Sequence, residues 1–158
     1  MYGIDFGTSN TVVTRREAGV TRVLDLGEGG VIPSLLYFEA GHRPSVGHEA
    51  MAEYTAALGR FRGAGNLYTR FRFFQAIKLA LKDPLFEGTR LFGERVPVEE
   101  LAAIFLREVK RRADEASAEP SDCSPAQRRA DEDRLVLGRP VVLSPDPVTD
   151  KVLEDRFR

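Results

Sequence analysis

Two β patterns joined by a very short turn open the chain and limit what it can become. Tyr2 to Phe6 and Asn10 to Arg16 carry the β-branched and aromatic residues of strands. The connection through Gly7-Thr8-Ser9 is too short for a parallel crossover, which needs a dozen residues or more, so the pair is an antiparallel hairpin. Gly19 marks the next turn, and Val20 to Leu26 alternates as a third strand. Leu26-Gly-Glu-Gly-Gly30 holds two spacings of a dinucleotide fingerprint, but no helix pattern follows, so it reads as a flexible loop. Val31 to Phe38 resumes a strand, with Pro33 near its start, where a missing N–H is tolerated. A turn at Gly41 to Pro44 and a short return strand to Gly47 extend this meander.

The middle of the chain has a different period. Glu49 to Phe61 reads as a helix with Ala50, Tyr54, Ala57, Leu58 and Phe61 on one face, ended by Gly63 to Asn66. An apolar and basic stretch follows from Leu67 to Leu81, with Phe73, Phe74, Ile77, Leu79 and Leu81 as candidate core, stopped by Asp83-Pro84. Thr89 to Val98 fits a small hairpin around Gly93-Glu94. Pro97-Val-Glu-Glu100 then opens the clearest helix, its acids favourable to the dipole, with Leu101, Ile104, Phe105, Val109 and Ala113 as buried stripe. Residues 114–133 are polar and read as a mobile loop. Residues 134–143 return to strand with a Gly-Arg-Pro break, and Thr149 to Arg158 resembles the first turns of a helix. The organisation is α/β: a strand-rich beginning, a mostly helical α+β insertion over 39–133, and a return to the first sheet over 134–158.

Composition excludes several classes of function. The 158 residues suit one domain or one lobe of a larger protein. A net charge of −1 supplies no global attraction to nucleic acid or to an anionic membrane. Cys123 is the single cysteine, so no internal disulfide can form, and a reducing, cytoplasmic setting is expected. Asp5 interrupts any secretory signal, and no run approaches the roughly 18 apolar residues of a membrane span. His42 and His48 lack further ligands at zinc spacing, and Cys123 has no paired histidine. Arg60, Arg62, Arg70 and Arg72 interleave with Phe61, Phe71, Phe73 and Phe74. Such a pattern can serve single-stranded nucleic acid, but the neutral balance favours core phenylalanines under solvated arginines.

The hairpin tip carries the chemistry. Successive backbone N–H groups in a turn can hold phosphate oxygens. Gly7 allows close approach and a positive φ, while Thr8, Ser9 and Asn10 add further donors. Asp5 offers a hard oxygen for magnesium, through its water shell. The same residues also suit a polar turn whose Asp bonds its own backbone, and the spacing leaves both readings open. Asp5-Phe6-Gly7 matches the metal-binding triplet of protein kinases, but that triplet follows a nucleotide-binding lobe and here only four residues precede it.

Gly3-Ile-Asp-Phe-Gly-Thr-Ser-Asn-Thr11 resembles the first phosphate-binding motif of the actin-like ATPases, most closely that of the seventy-kilodalton heat-shock chaperones. Ile32-Pro-Ser-Leu-Leu-Tyr-Phe38, Ser45-Val-Gly47 before a helix, and Ala76-Ile-Lys78 follow in the family's order. Leu135-Val-Leu-Gly-Arg-Pro140 is similar to the bacterial chaperone-like branch. The resemblance implies a ribonuclease H-like half-domain that contributes the first phosphate hairpin of a heat-shock-chaperone-like ATPase, with ATP or ADP and magnesium as cofactors. It assigns the magnesium shell to Asp5, the phosphates to Gly7, Thr8, Ser9, Asn10 and Thr11, and the catalytic lysine to Lys78. From the residues alone Lys78 is equally a solvated lysine. Pro140 matches the family's hinge proline, whose partner arginine is replaced at the nominal spacing by Val148, leaving Arg156 or Arg158 as substitutes.

The family's second phosphate loop and adenosine motif find no counterpart in residues 134–158. The resemblance therefore implies one lobe of a longer protein, with weak or absent nucleotide binding and negligible ATPase activity alone, since positioning needs both walls of a cleft. Its partners would be nucleotide and, through other parts of the protein, unfolded clients; neither nucleic acid nor membrane is expected. Two relatives share the hairpin pattern and remain as alternatives: a sugar or metabolite kinase and an actin-like filament protein. The Ile-Pro-Ser strand followed by Ala-Ile-Lys favours the chaperone type.

Overall fold

In the computed structural model, which describes residues 1–17, 19–27, 29–117, 135–138 and 146–156, the opening segments pair as expected. Strand β1 (Tyr2–Phe6) runs antiparallel to β2 (Asn10–Glu17), with Ile4 opposite Val13 and Phe6 opposite Thr11. β3 (Val20–Val23) continues the meander on the far side of β2, and all four of its residues are exposed. It is shorter than the alternation predicts: past Val23 the Leu24 N–H still donates to the Val13 carbonyl at 2.8 Å, and the Leu24 and Leu26 side chains pack against the core.

The expected strand over 31–38 is two strands in two sheets. β4 (Ile32–Pro33) pairs with β2, and β5 (Leu35–Glu39) joins a second sheet between β6 (Ser45–Val46) and β7 (Phe71–Gln75). Ser34 is the crossing point. The segment is apolar almost throughout, so alternation could not reveal the change of sheet. Gly47 opens helix α1 (Gly47–Arg60) rather than ending a strand; Ala50 and Ala57 are buried beneath it, whereas Leu58 is exposed.

The stretch from Leu67 to Leu81 divides into a 3₁₀ turn (Leu67–Thr69), β7 and the short helix α2 (Ile77–Lys82). Ile77 and Leu81, one helical turn apart, face the core, which leaves Leu79 on the opposite side and exposed, against expectation. β8 (Gly88–Leu91) and β9 (Glu94–Pro97) form the expected hairpin. Helix α3 (Val98–Ala116) follows the predicted stripe, burying Leu101, Phe105, Val109 and Ala113, with Val98 and Ala102 added. Residues 114–116, read as loop, form its last turn. Residues 118–134, Cys123 included, lie outside the described residues.

β10 (Leu135–Gly138) returns to the first sheet and pairs parallel with β1, from Tyr2 opposite Leu135 to Asp5 opposite Gly138. The order is therefore β10-β1-β2-β3, with β4 also on β2. Helix α4 (Pro147–Asp155) starts two residues earlier than predicted, because the Asp146 carboxylate accepts the Thr149 N–H at 2.7 Å and Pro147 fits the first turn. The main core joins the first sheet to α2 and α3: Tyr2, Ile4 and Phe6 meet Ile77, Leu81, Leu101 and Phe105, and the Phe6 and Phe105 ring centroids lie 5.4 Å apart. A smaller cluster around Tyr37, Ala50, Ala57 and Phe71 lies between α1 and the second sheet. The fold is mixed α/β. Among the described residues no helix is long and apolar enough to cross a membrane.

Candidate functional site

Strand alternation decides which side chains of β1 are available. Tyr2, Ile4 and Phe6 point into the core, so Asp5 stands exposed on the opposite face of the sheet. Its neighbour on β2 is Val12 and its neighbour on β10 is Gly138, which has no side chain. A Cβ added at Gly138 would come within 3.7 Å of the Asp5 carboxylate. That is ordinary van der Waals contact, so the glycine leaves room on that flank without being required there.

The turn itself is built around Gly7. Its N–H donates to the Asn10 carbonyl at 3.0 Å, and a Cβ there would sit 2.1 Å from the same oxygen. Close approach, and not the positive φ expected from the sequence, is what demands glycine, because Gly7 is not among the positive-φ residues. Ser34, at the junction of the two sheets, pins the tip from below. Its hydroxyl donates to the Gly7 carbonyl at 2.9 Å, its N–H donates to the Ser9 carbonyl at 2.8 Å, and its Oγ lies 2.9 Å from the Thr11 hydroxyl. Both Ser34 and Thr11 are buried. The Thr11 hydroxyl, grouped with the phosphate ligands on sequence, is placed away from the exposed tip and serves as an anchor. Ser34 is the residue that sequence reading missed; its only signal was the Ile-Pro-Ser string.

Lys78 reaches the same place from 72 residues away: its ammonium donates to the Phe6 carbonyl and lies 5.9 Å from the centre of the Phe6 ring. The route is set by Ala76, a non-glycine residue in the left-handed region (φ 54°, ψ 34°) that turns the chain from β7 into α2. Such a conformation costs about 1–3 kcal/mol and persists where surrounding packing imposes it; here Ile77 and Leu81 are buried on either side of Lys78. The far end of α2 is held by Arg156, whose Nη1 donates to the carbonyls of Leu81, Asp83 and Phe86 at 3.3, 2.8 and 3.3 Å. Its Nε lies 3.3 Å from the Glu99 carboxylate. Pro140 and Arg158 lie outside the described residues. Arg156, one of the two candidates to partner Pro140, is engaged on the loop after α2. Val148 is exposed.

The sum of these contacts gives the tip its chemical character. The carbonyls of Phe6, Gly7, Ser9 and Asn10 each accept a hydrogen bond from within the protein. The amides of Thr8 and Ser9 lie outside the strand ladders and meet no backbone acceptor among the described residues. With those four carbonyls occupied, the amides and hydroxyls of Thr8 and Ser9 and the Lys78 ammonium are donors that can serve an anion, while the Thr8 carbonyl stays as an acceptor among the described residues. Asp5 is the nearby carboxylate. Among the described residues no group of three or more His, Cys, Asp and Glu side chains assembles, so a cation at Asp5 would draw its other ligands from water or from a bound anion.

The other clusters singled out on sequence are structural or surface features. Phe71 is buried, Phe61 and Phe73 pack on the smaller cluster, and Phe74 on the main core. Arg60 pairs with Glu39, and Arg72 donates to the Arg90 carbonyl at 2.6 Å and to Thr89 Oγ1 at 2.9 Å. These two arginines are thus not simply solvated. His42 and His48 are exposed. Fold and site together define a mixed α/β protein with a donor-rich hairpin tip, one adjacent lysine and one adjacent carboxylate. No protein-family model matches the chain, and no curated protein matches it.

Proposed function

We propose that this chain is the phosphate-binding lobe of an actin-like ATPase of the heat-shock-chaperone type, using the β1–β2 hairpin as its first phosphate loop. The observation that carries the reading is the Lys78 ammonium on the Phe6 carbonyl, at the start of the turn whose Thr8 and Ser9 amides meet no backbone acceptor among the described residues. Further support comes from the sheet: three antiparallel strands with a fourth, β10, parallel to the first suit a ribonuclease H-like half-domain. The residues fit the implied cofactors: the Thr8 and Ser9 amides and hydroxyls would hold phosphate oxygens of ATP or ADP, and Asp5 would hold magnesium through water. Magnesium, when bound, supplies charge neutralisation to the phosphates. Lys78 supplies a fixed positive charge where negative charge grows during phosphoryl transfer. Ser34 and Thr11 hold the loop in register, and Gly138 leaves room beside Asp5.

The hairpin is one wall, so the isolated chain binds Mg-ATP weakly and hydrolyses it negligibly. The test is an amide NMR titration of the 158-residue chain with Mg-ATP up to millimolar concentration. Shifts confined to Gly7, Thr8, Ser9 and the Lys78 region, reduced in K78M and losing their magnesium dependence in D5N, are expected. Shifts elsewhere, or none at any concentration, overturn the phosphate site. Micromolar affinity by calorimetry overturns the one-wall reading while leaving the phosphate site in place.

A further inference from the structure

The aromatic and basic stretch that the hairpin site does not use forms a second surface. Between the end of α1, the 3₁₀ turn and β7 lies a groove of about 500 Å³, walled by Tyr54, Leu58, Leu67, Tyr68, Phe71 and Phe73. That size lies within the roughly 300–1,000 Å³ of ligand sites. The walls are ordered by their own contacts. Tyr54 stacks on Phe73 at 4.4 Å and 13°, and Phe71 lies edge-on to Tyr54 at 5.9 Å. Tyr68 is 71% exposed, yet the Arg72 guanidinium lies 5.2 Å from its ring centre and the same distance from that of Phe74. Arg72 is itself fixed by its bonds to the Arg90 carbonyl and Thr89. The exposed tyrosine therefore stands against a fixed guanidinium, which lowers the ordering cost of binding against it.

Charge narrows the choice of occupant. The segment that forms the groove wall also carries Arg62 and Arg70, both exposed and in no ion pair among the described residues. The nearby carboxylates are engaged: Glu39 takes Arg60 and the Tyr37 hydroxyl, and Glu53 takes the Ser45 hydroxyl. Two exposed cations, in no ion pair among the described residues and carried by the segment that supplies most of the groove's wall, suit a short acidic segment. They do not suit a nucleic-acid strand, since Arg60 and Arg72 are already spent and Phe71 is buried beneath the groove, unavailable for base stacking. The geometry points to a docking site for an acidic linear peptide of a partner protein, anchored by one aromatic or large aliphatic side chain among Tyr54, Tyr68 and Phe73, with its carboxylates toward Arg62 and Arg70.

Selection of a randomised displayed-peptide library on the whole chain tests this. Enriched sequences are expected to combine Asp or Glu with an aromatic or leucine anchor. The best synthetic peptide should bind about tenfold more weakly to Y68A, and about tenfold more weakly again to R62E/R70E, in line with truncation of an anchor and loss of its flanking charges. Tyr68, Arg62 and Arg70 are exposed, so all these variants should melt with the parent protein. No enrichment, enrichment without acidic residues, or undiminished binding to Y68A overturns the proposal. So does a single-stranded oligonucleotide that binds more tightly than the best peptide. Self-association abolished by Y68A would assign the groove to a second copy of the chain and would equally overturn it.

Discussion

Removing the Ser34 hydroxyl tests whether the phosphate hairpin is held from beneath. In S34A the Thr11 hydroxyl, fully buried and 2.9 Å from Ser34 Oγ, loses its partner. Leaving a buried hydroxyl unsatisfied costs about 1–3 kcal/mol. The Gly7 carbonyl loses its 2.9 Å bond as well, but that contact is only partly buried and water can replace it, so the loss adds about 0.5–1 kcal/mol. The Ser34 N–H bond to Ser9 is backbone and survives. The total is about 1.5–4 kcal/mol, a large share of the roughly 5–15 kcal/mol stability of a domain. For a chain of this length it should lower Tm by roughly 3–16 °C. Calorimetric melting of the parent, S34A, T11V and the double variant completes the cycle. T11V removes the second hydroxyl at nearly constant shape, so the double variant should be more stable than the sum of the single losses predicts, with a coupling of about 1 kcal/mol. Strict additivity, or a Tm for S34A equal to that of the parent, refutes the pinned-hairpin argument.

Two further outcomes follow from charged contacts. R156A should lower stability by about 2 kcal/mol in urea unfolding, because one nearly buried guanidinium holds four carbonyls and the Glu99 carboxylate; R156K should not restore it, since an ammonium lacks the fork. An unchanged midpoint would show that the loop after α2 needs no such clamp. Glu108 is buried on α3; burial pushes its carboxyl up, but the Arg111 hydrogen bond and the charges of Arg111, Arg43 and Arg112 outweigh this and hold it below its usual value. A depressed folded pKa contributes stability that is fully present above the unfolded value of about 4.3 and is lost as pH falls through the folded value. E108Q should therefore melt below the parent at neutral pH and approach it below about pH 4. A constant gap across the acid range would refute the linkage.

The site was legible in parts. Asp5 to Asn10 stood out because a tight turn leaves its mark in contiguous residues, and close approach was one of the two properties read for Gly7, although not the partner: the Asn10 oxygen excludes a Cβ, whatever the φ. Lys78 was marked by its neighbours Ala76 and Ile77, but its place on the Phe6 carbonyl was not marked. Ser34, Gly138 and Arg156 carried no comparable signal, since each acts on residues far away in the chain. Within the apolar run 31–38, the passage from one sheet to the other at Ser34 could not be heard in alternation.

By itself the sequence determined the opening hairpin, the β8–β9 hairpin and the stripe of α3. Turn residues and a helical period act over a few positions, and their energetics are settled locally. Only the tertiary structure decided that β10 lies parallel beside β1, that Leu79 faces outward from α2, and that a lysine 72 residues on arrives at the hairpin tip. Those outcomes depend on which apolar faces find each other once the chain has closed long loops. That choice rests on the packing of Phe6, Ile77, Leu81 and Phe105 together, and no short window of residues contains it.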